Sequence, residues 1–596
     1  MTSDVTKAER PRIALPLPLV ALAVAVVVGI LLTLTLPGRL QVSLGDTDDA
    51  MRFMMVRALL SGETSWFHPH LARLQPPLGL DMHWSRLADG GMAAMVWLFE
   101  RFMAPDQAET AMRLLWPLAW TVPAIWCVLA IARQISGSAS ILPAICLLTL
   151  NLLLYAQWRP GRIDHHDLQI VLSLVAMMGA VDGRRRGALV TGVATGLGMA
   201  IGLEALAFLA LAGASFSLRF LFDPRQAPAA RVYATALLTS VTLFYLAQTP
   251  PHLLAASVCD ALAANLWCGV AVAGMGLLIT TWATRSRGPQ LRLAALVVVG
   301  AASGAVYLVL DPACLHGPLG GVDPRLKPIW MDHVGEMQPL LRNLATKHSE
   351  FVATSLVSIG LSIASWAWLG SRAEGRTSAW WVLGAMLAAS VFIALGAERM
   401  VHYANWFALP LIAAALGDLT TRYWKSSPIP ALALVILFSQ PVLIPAIDDI
   451  PGWERPVDPA NDAPCTHRPA FQSLAKLPPG LVLAEINLGP RIAAETKDSV
   501  MAAPYHRMTF GILAAHHALA AAPGEDEAAT RALGASYVVN CPAQSGQFHH
   551  RTLDATSLQA RLDRFMPPVW LEPLSARSAP LQIYRVRPSA PAVTSQ

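Results

Sequence analysis

Charge is scarce in this sequence. Of its 596 residues only 14% are Asp, Glu, Lys or Arg, while 54% are hydrophobic, and mean hydropathy is +0.47; soluble domains carry about 25% charged residues. That balance excludes an ordinary soluble globular protein. The sequence also lacks any basic tract: its net charge of +5 is spread over loops, so nothing points to nucleic acid as a partner. Among seven cysteines there is no CxxC and no zinc-type spacing, which removes the common small metal modules. No internal repeat is evident, which argues against the repeated halves of many transporters.

What the chain has instead is long apolar runs. A membrane span needs about 20 mostly apolar residues, and such runs recur near 14–36, 112–133, 140–157, 168–182, 187–201, 203–221, 231–248, 266–284, 291–310, 351–370, 377–396, 401–417 and 428–447. The reading is a polytopic α-helical membrane protein of about 13 transmembrane helices over residues 1–447, with large external loops at 37–111 and 311–350, followed by a soluble α/β domain over 448–596. The first run follows Lys7, Arg10 and Arg12 and has no small-residue cleavage pattern, so it is expected to be retained with its N-terminus inside. From that start the basic loops at Arg184–Arg185–Arg186, Arg225 and Arg231, Arg285–Arg287–Arg292, Arg372 and Arg376, and Arg422 and Lys425 all fall on the cytoplasmic side. Clustered Asp, Glu and His fall on the other side, taken as the periplasm of a bacterial inner membrane, where the terminal domain also lies. A one-sided cluster on a helical scaffold points to an active site at the membrane surface.

Three constellations carry that chemistry. The first external loop opens GDTDDAMR, placing Asp46, Asp48 and Asp49 where carboxylates can hold a hard divalent cation or cap the helix that follows. Further along, WFHPHLARLQPPLGLDMHWSRLADGG offers His83 and Arg86 to a phosphate, while Trp66, Phe67 and Trp84 read as interfacial. The second constellation, GRIDHHDLQ at 161–169, packs Arg162, Asp164, His165, His166 and Asp167 between two apolar runs. In an extended segment Asp164 and His166 point the same way, with His165 directed elsewhere as support or toward substrate. Burying so many polar groups is costly unless they are paired or liganded, and a shared metal removes that cost. The third comes late in the chain: PRLKPIWMDHVGEMQPLLRN brings Lys327, Asp332, His333, Glu336 and Gln338 in the long loop. AERMVHYANWF then places Arg399 and His402 at the outer end of a span, the arginine suited to a diphosphate. The short turn at Glu204 joins the external set if the helix around it is broken.

In the terminal segment LVLAEI, SVMAAPY and ASYVVNC read as buried strands, and FGILAAHHALAA and DEAATRALG as helices. His506, Arg507, His516 and His517 are candidates there for positioning an acceptor, and Cys465 and Cys541 pair if the domain meets an oxidising compartment. Cys127, Cys146 and Cys268 sit in apolar runs and read as core residues.

The assembly of acidic GDTDDAMR, Asp164-x-His166, Glu336 in a long loop and Arg399 on a late span resembles GT-C membrane glycosyltransferases, and most of all the single-subunit bacterial and archaeal oligosaccharyltransferase. The resemblance implies a divalent metal, Mn or Mg, held by Asp49 (or Asp46 or Asp48), Asp164 and His166, with a first-loop aspartate and Glu336 catalytic. It further implies a donor-phosphate contact from Arg399; the residues themselves add His83, Arg86 and Arg162 as candidates for the same phosphate, and His165, Glu204, His402, His506 and Arg507 for supporting or acceptor roles. The expected partners are the lipid bilayer, a polyprenyl-linked sugar donor and a protein or envelope glycan or lipid acceptor. The terminal domain departs from the family in lacking the Trp-Trp-Asp-Tyr-Gly motif that reads the glycosylation sequon, offering only APYHRMTFGILAAHH. The rival of another class is a transporter or flippase of lipid-linked glycans.

Overall fold

The computed structural model describes residues 15–35, 44–347, 350–372, 376–450, 464–542 and 553–588. The readings on Lys7, Arg10 and Arg12, on 37–43 and on the tail 589–596 lie outside the described residues. Among the described residues eighteen α-helices precede the terminal segment: α1 (Leu17–Thr35), α2 (Thr47–Ser61), α3 (Arg86–Phe99), α4 (Pro105–Ser136), α5 (Ile141–Leu150), α6 (His166–Asp182), α7 (Arg185–Ile201), α8 (Leu206–Phe222), α9 (Ala227–Gln248), α10 (Ala264–Ala283), α11 (Pro289–Leu310), α12 (Leu326–Ile329), α13 (Leu340–Lys347), α14 (Glu350–Gly370), α15 (Ser378–Gly396), α16 (Val401–Arg422), α17 (Ile429–Leu437) and α18 (Gln440–Asp448).

Every one of the apolar runs coincides with helix. Among the described residues nine helical stretches are long and apolar enough to cross a membrane, the longest being the joined stretch Pro105–Leu150. Helices α6, α7 and α8 have 17 residues each, or about 26 Å at 1.5 Å per residue, the short end of what spans a bilayer. Helix α16 is the hub, 94% buried over its apolar window, whereas that of α11 has no buried residue and offers its side chains to lipid. Helices α7 and α9 cross closely because of the small pair Gly192 and Gly196: a Cβ on Gly192 would meet Ala236 Cβ at 2.6 Å.

The terminal segment carries a five-stranded sheet. After β1 (His70–Leu71) and β2 (Leu80–Asp81), which pair with each other in the first external loop, come β3 (Leu481–Ala484), β4 (Ser499–Val500), β5 (Tyr537–Asn540), β6 (Leu571–Pro573) and β7 (Gln582–Val586). Their order is β4-β3-β5-β7-β6. The three predicted strands form the parallel part, and the antiparallel pair β6 and β7, unpredicted, makes the sheet mixed. The first external loop completes this sheet's edge: Gln75 N donates to Val500 O and Val500 N to Arg73 O, both at 2.9 Å. Gln75, itself buried, also donates from Nε2 to Arg507 O at 3.2 Å and accepts from Gly511 N at 3.1 Å. This backbone splice fixes the terminal segment over the loops between helices. Disulfides join Cys465 to Cys541 and Cys259 to Cys314.

Candidate active site

One cavity of about 1100 Å³ lies where the external loops meet the terminal segment. Its floor starts at α2. Asp46 is the N-cap, accepting from Asp48 N at 3.0 Å and Asp49 N at 3.1 Å, and Asp49 Oδ2 accepts from Asp46 N at 2.9 Å, which closes a capping box. The three aspartates of GDTDDAMR therefore separate by role. Asp49 is fully buried and accepts four donors: Asp46 N, Arg162 Nη1 at 3.0 Å, Ile163 N at 2.7 Å and Asp164 N at 3.0 Å. Arg162 also pairs with Asp46 and donates to Gln157 Oε1 at 2.8 Å. Asp49 and Arg162 thus clamp the GRIDHHDLQ turn onto α2, and Asp48 lines the cavity.

The turn does not run extended. His165 sits at φ −96°, ψ −1°, and α6 starts at His166, so the alternation that separates His165 from its neighbours in a strand does not apply. Its ring stacks on that of His166 with centroids 4.9 Å apart, and its Nδ1 lies 2.5 Å from Asp164 Oδ1. Asp48, Asp164 and His166 each direct a ligand-type atom into one spot, all within 4.8 Å of one another. His166 bridges two carboxylates, with Nε2 3.0 Å from Asp164 Oδ2 and Nδ1 2.8 Å from Glu204 Oε2. Glu204 stands in the break between α7 and α8, which is held open by Gln169 Oε1 accepting from Ala205 N at 3.0 Å. It continues to Arg399, whose Nε is 3.1 Å from Glu204 Oε1 and whose Nη1 is 3.8 Å from Glu336 Oε1. Segments spread from residue 48 to residue 399 thus meet in one polar chain.

The electrostatics fit a cation. Burial, and after it the charges of Asp164, Asp46 and Glu336, pushes the Asp48 carboxyl well above its ordinary range. Burial acts upward on Asp164 too, but His165 and His166 outweigh it and hold that carboxyl well below. Two carboxylates beside one imidazole, with Asp164 Oδ2 lacking any hydrogen-bond donor apart from the His166 contact, form an O/O/N donor set that a divalent cation accepts.

The remaining predicted residues stand outside the Asp48, Asp164 and His166 cluster, although Arg86 is part of the cavity lining. Arg86 is buried against Asp89 Oδ2 at 3.3 Å and Thr64 Oγ1 at 3.0 Å, so its guanidinium is committed to the loop's own packing. His402 stands behind the cavity against Phe351, with Nε2 3.5 Å from Gln157 Nε2. His516 and His517 do not line the cavity. Trp84, expected at the membrane interface, is inside: Arg52 lies over its ring at 4.5 Å, and His165 and Tyr505 flank it at 5.7 and 5.4 Å. Arg52 is fully buried, donating to Asp89 Oδ1 at 2.8 Å and contacting His165 Nδ1 at 3.2 Å. An arginine amid the apolar residues of α2 was the signal for it. Asp260, also unanticipated, accepts from Arg507 Nε at 2.8 Å and Nη2 at 2.6 Å and lies 2.8 Å from His506 Nε2. Burial acts upward on Asp260, but those two partners hold it below the usual carboxylate range, while burial and then His506 keep His83 well below the usual histidine range.

This architecture, a helical scaffold with an acidic loop after its first helix, a second acidic turn facing it and a mixed α/β terminal domain, shares the fold of solved oligosaccharyltransferase structures. The solved structure of archaeal oligosaccharyltransferase AglB from Archaeoglobus fulgidus, in complex with an inhibitory peptide and a dolichol-phosphate, superposes at a TM-score of 0.64 with 13% identity, covering 97% of this chain and 75% of that one. The apo form of the Archaeoglobus fulgidus enzyme gives 0.67 with 14% identity over 89% and 70%, and its complex with Zn and sulfate 0.62 with 14% over 96% and 73%. No sequence family and no curated protein sequence matches the chain.

Proposed function

We propose that this chain is a metal-dependent glycosyltransferase that moves a sugar or glycan from a polyprenyl-phosphate or -diphosphate donor to a protein, glycan or lipid acceptor on the periplasmic face of a bacterial inner membrane. The observation that carries the reading is the convergence of Asp48, Asp164 and His166 with Glu204, Glu336 and Arg399 on one cavity between helices and terminal domain. The shared fold supports it, since the archaeal enzyme was solved with a dolichol-phosphate, with an acceptor peptide and with Zn. Helices α6 and α16 begin at the cavity and α7 and α9 end there, so the arginine loops lie at the far ends of these helices, in keeping with the reading that assigns basic loops to the cytoplasmic side.

In this account Asp48, Asp164 and His166 hold Mn or Mg, and Asp49 acts by fixing the turn that carries two of them. A divalent cation held by these three residues would supply positive charge to offset the negative charge developing on the departing phosphate. Arg399, with its side chain 30% exposed, meets the same phosphate from the other side, and Glu204 orients both Arg399 and His166. An acceptor hydroxyl or amide attacks the anomeric carbon, the bond from that carbon to the phosphate oxygen breaks, and the acceptor proton passes to a carboxylate at the cavity, Asp48 or Glu336. Single displacement inverts the anomeric centre. Incubating the purified protein with a panel of polyprenyl-phosphate and -diphosphate sugars tests this: sugar release that stops on chelation supports it, and intact donors across the whole panel would oppose it.

A further inference from the structure

The cavity has a second polar cluster, separated from the first by Trp84. His83 comes from the first external loop, Asp260 from the segment between α9 and α10, and His506 from the terminal segment, and one donor atom of each lies within 4.8 Å of the others. His83 Nδ1 is 4.0 Å from Asp260 Oδ2, too far for a hydrogen bond, and is buried with no hydrogen-bond partner. The imidazoles of His83 and His506 lie side by side, tilted 50° to each other, with centroids 4.7 Å apart. Two histidines set against each other around one carboxylate, with a buried nitrogen lacking any donor or acceptor, is an arrangement that hydrogen bonding leaves incomplete.

From this cluster we infer that His83, Asp260 and His506 form a second divalent-cation site, of the zinc class, at the wall of the same cavity. Two imidazole nitrogens and one carboxylate oxygen are the three-ligand set that zinc takes with an open fourth position, and all three residues line the cavity, so that position faces the space an acceptor enters. The borderline-soft nitrogen ligands separate it from the first site, where two carboxylates and one histidine suit harder Mn or Mg. Arg507 completes the arrangement: its Nη2 holds Asp260 Oδ1 at 2.6 Å and its Nη1 donates to Asp81 O at 2.9 Å, which orients the carboxylate as outer partners of metal ligands do. The Cys259–Cys314 bridge fixes the residue next to Asp260. A cation there ties three chain segments together across the cavity wall, and it stands whether or not the first site catalyses transfer.

The test is zinc stoichiometry of the full-length protein in detergent after chelator treatment, with His83→Ala, His506→Gln and Asp48→Ala beside wild type. Wild type is expected to bind two equivalents, His83→Ala and His506→Gln to lose one, and Asp48→Ala to lose the other. Melting in metal-free buffer is expected to leave His83→Ala at the wild-type temperature, because that side chain has no hydrogen-bond partner at Nδ1, and zinc is expected to raise the melting temperature of Asp48→Ala more than that of a variant carrying both Asp48→Ala and His83→Ala. Retention of two equivalents by both histidine variants overturns the assignment, as does a wild type that binds one equivalent lost only with Asp48→Ala.

Discussion

Replacing Asp48 and Asp49 separately by alanine is expected to give opposite phenotypes, although the two residues are adjacent. Asp49 is wholly buried and accepts from Arg162 Nη1, from the amides of Ile163 and Asp164, and from Asp46 N, at 2.7–3.0 Å. Removing it strands a guanidinium whose side chain is only 15% exposed, and breaking one side of a buried charged pair costs about 3–5 kcal/mol. Asp46 keeps its own contact with Arg162, so the expected loss lies at the lower end, about 3 kcal/mol. Burial raises both carboxyls, and on Asp49, which rises to about 7, Arg162 partly offsets it; on Asp48 the charges of Asp164, Asp46 and Glu336 add to burial and disfavour its ionised form, so its loss relieves repulsion. Thermal unfolding in detergent, followed by tryptophan fluorescence with and without Mn, separates the two. Asp49→Ala is expected to melt several degrees lower in metal-free buffer, and Asp48→Ala to melt at or above wild type but to lose the Mn-induced rise. A stable Asp49→Ala that fails to bind Mn, together with an unstable Asp48→Ala that binds it, would refute the division of labour between them.

Glu204→Gln leaves the ligand set intact but takes the carboxylate from His166 Nδ1, 2.8 Å away, and is expected to weaken Mn binding by roughly 10–100-fold, read by calorimetry. Arg399→Ala removes the cation proposed to face the donor phosphate and is expected to raise the KM for the lipid-linked donor about tenfold or more while Mn affinity stays within a few-fold; an unchanged KM places the phosphate elsewhere. Glu485, pushed up to about 7 by burial from an ordinary 4.5, binds its proton in the folded chain over a range where the unfolded chain has lost it. Stability therefore falls as pH rises from 4.5 to 7, with the cost complete above that. Glu485→Gln is expected to raise the melting temperature at about pH 8 and to leave it unchanged at about pH 4.5; a gain that is equal at both would show that the charge is not the cause.

The parts of this account legible in the sequence were those that local chemistry determines. Apolar runs marked where helices stand because a lipid-exposed backbone has no alternative to internal hydrogen bonding, and strand alternation in LVLAEI and ASYVVNC found the parallel half of the terminal sheet. The antiparallel half was hidden because the pairing of Leu571–Pro573 with Gln582–Val586, and of the latter with Tyr537–Asn540, is a tertiary matter. At the site, clustering by charge found Asp164, His166, Glu204, Glu336 and Arg399, which the structure brings together. Spacing was unable to decide among Asp46, Asp48 and Asp49, since capping and clamping depend on which carboxylate turns inward. It also missed Asp260, whose partners His506 and Arg507 lie 246 and 247 residues further along the chain, a separation that no local pattern spans. Trp84 was misplaced for a related reason: an aromatic near a span reads as interfacial until a buried arginine is found beneath it.

The most direct test is to place the purified protein in sealed vesicles with a radiolabelled polyprenyl-phosphate sugar and to follow two quantities together, cleavage of the sugar–phosphate bond and movement of intact donor between leaflets. The account predicts Mn- or Mg-dependent cleavage that Asp48→Ala and Asp164→Ala abolish, with no transport of intact donor. Donor that crosses uncleaved, at a rate indifferent to both substitutions and to chelation, would contradict it and make the protein a translocator built on the same fold.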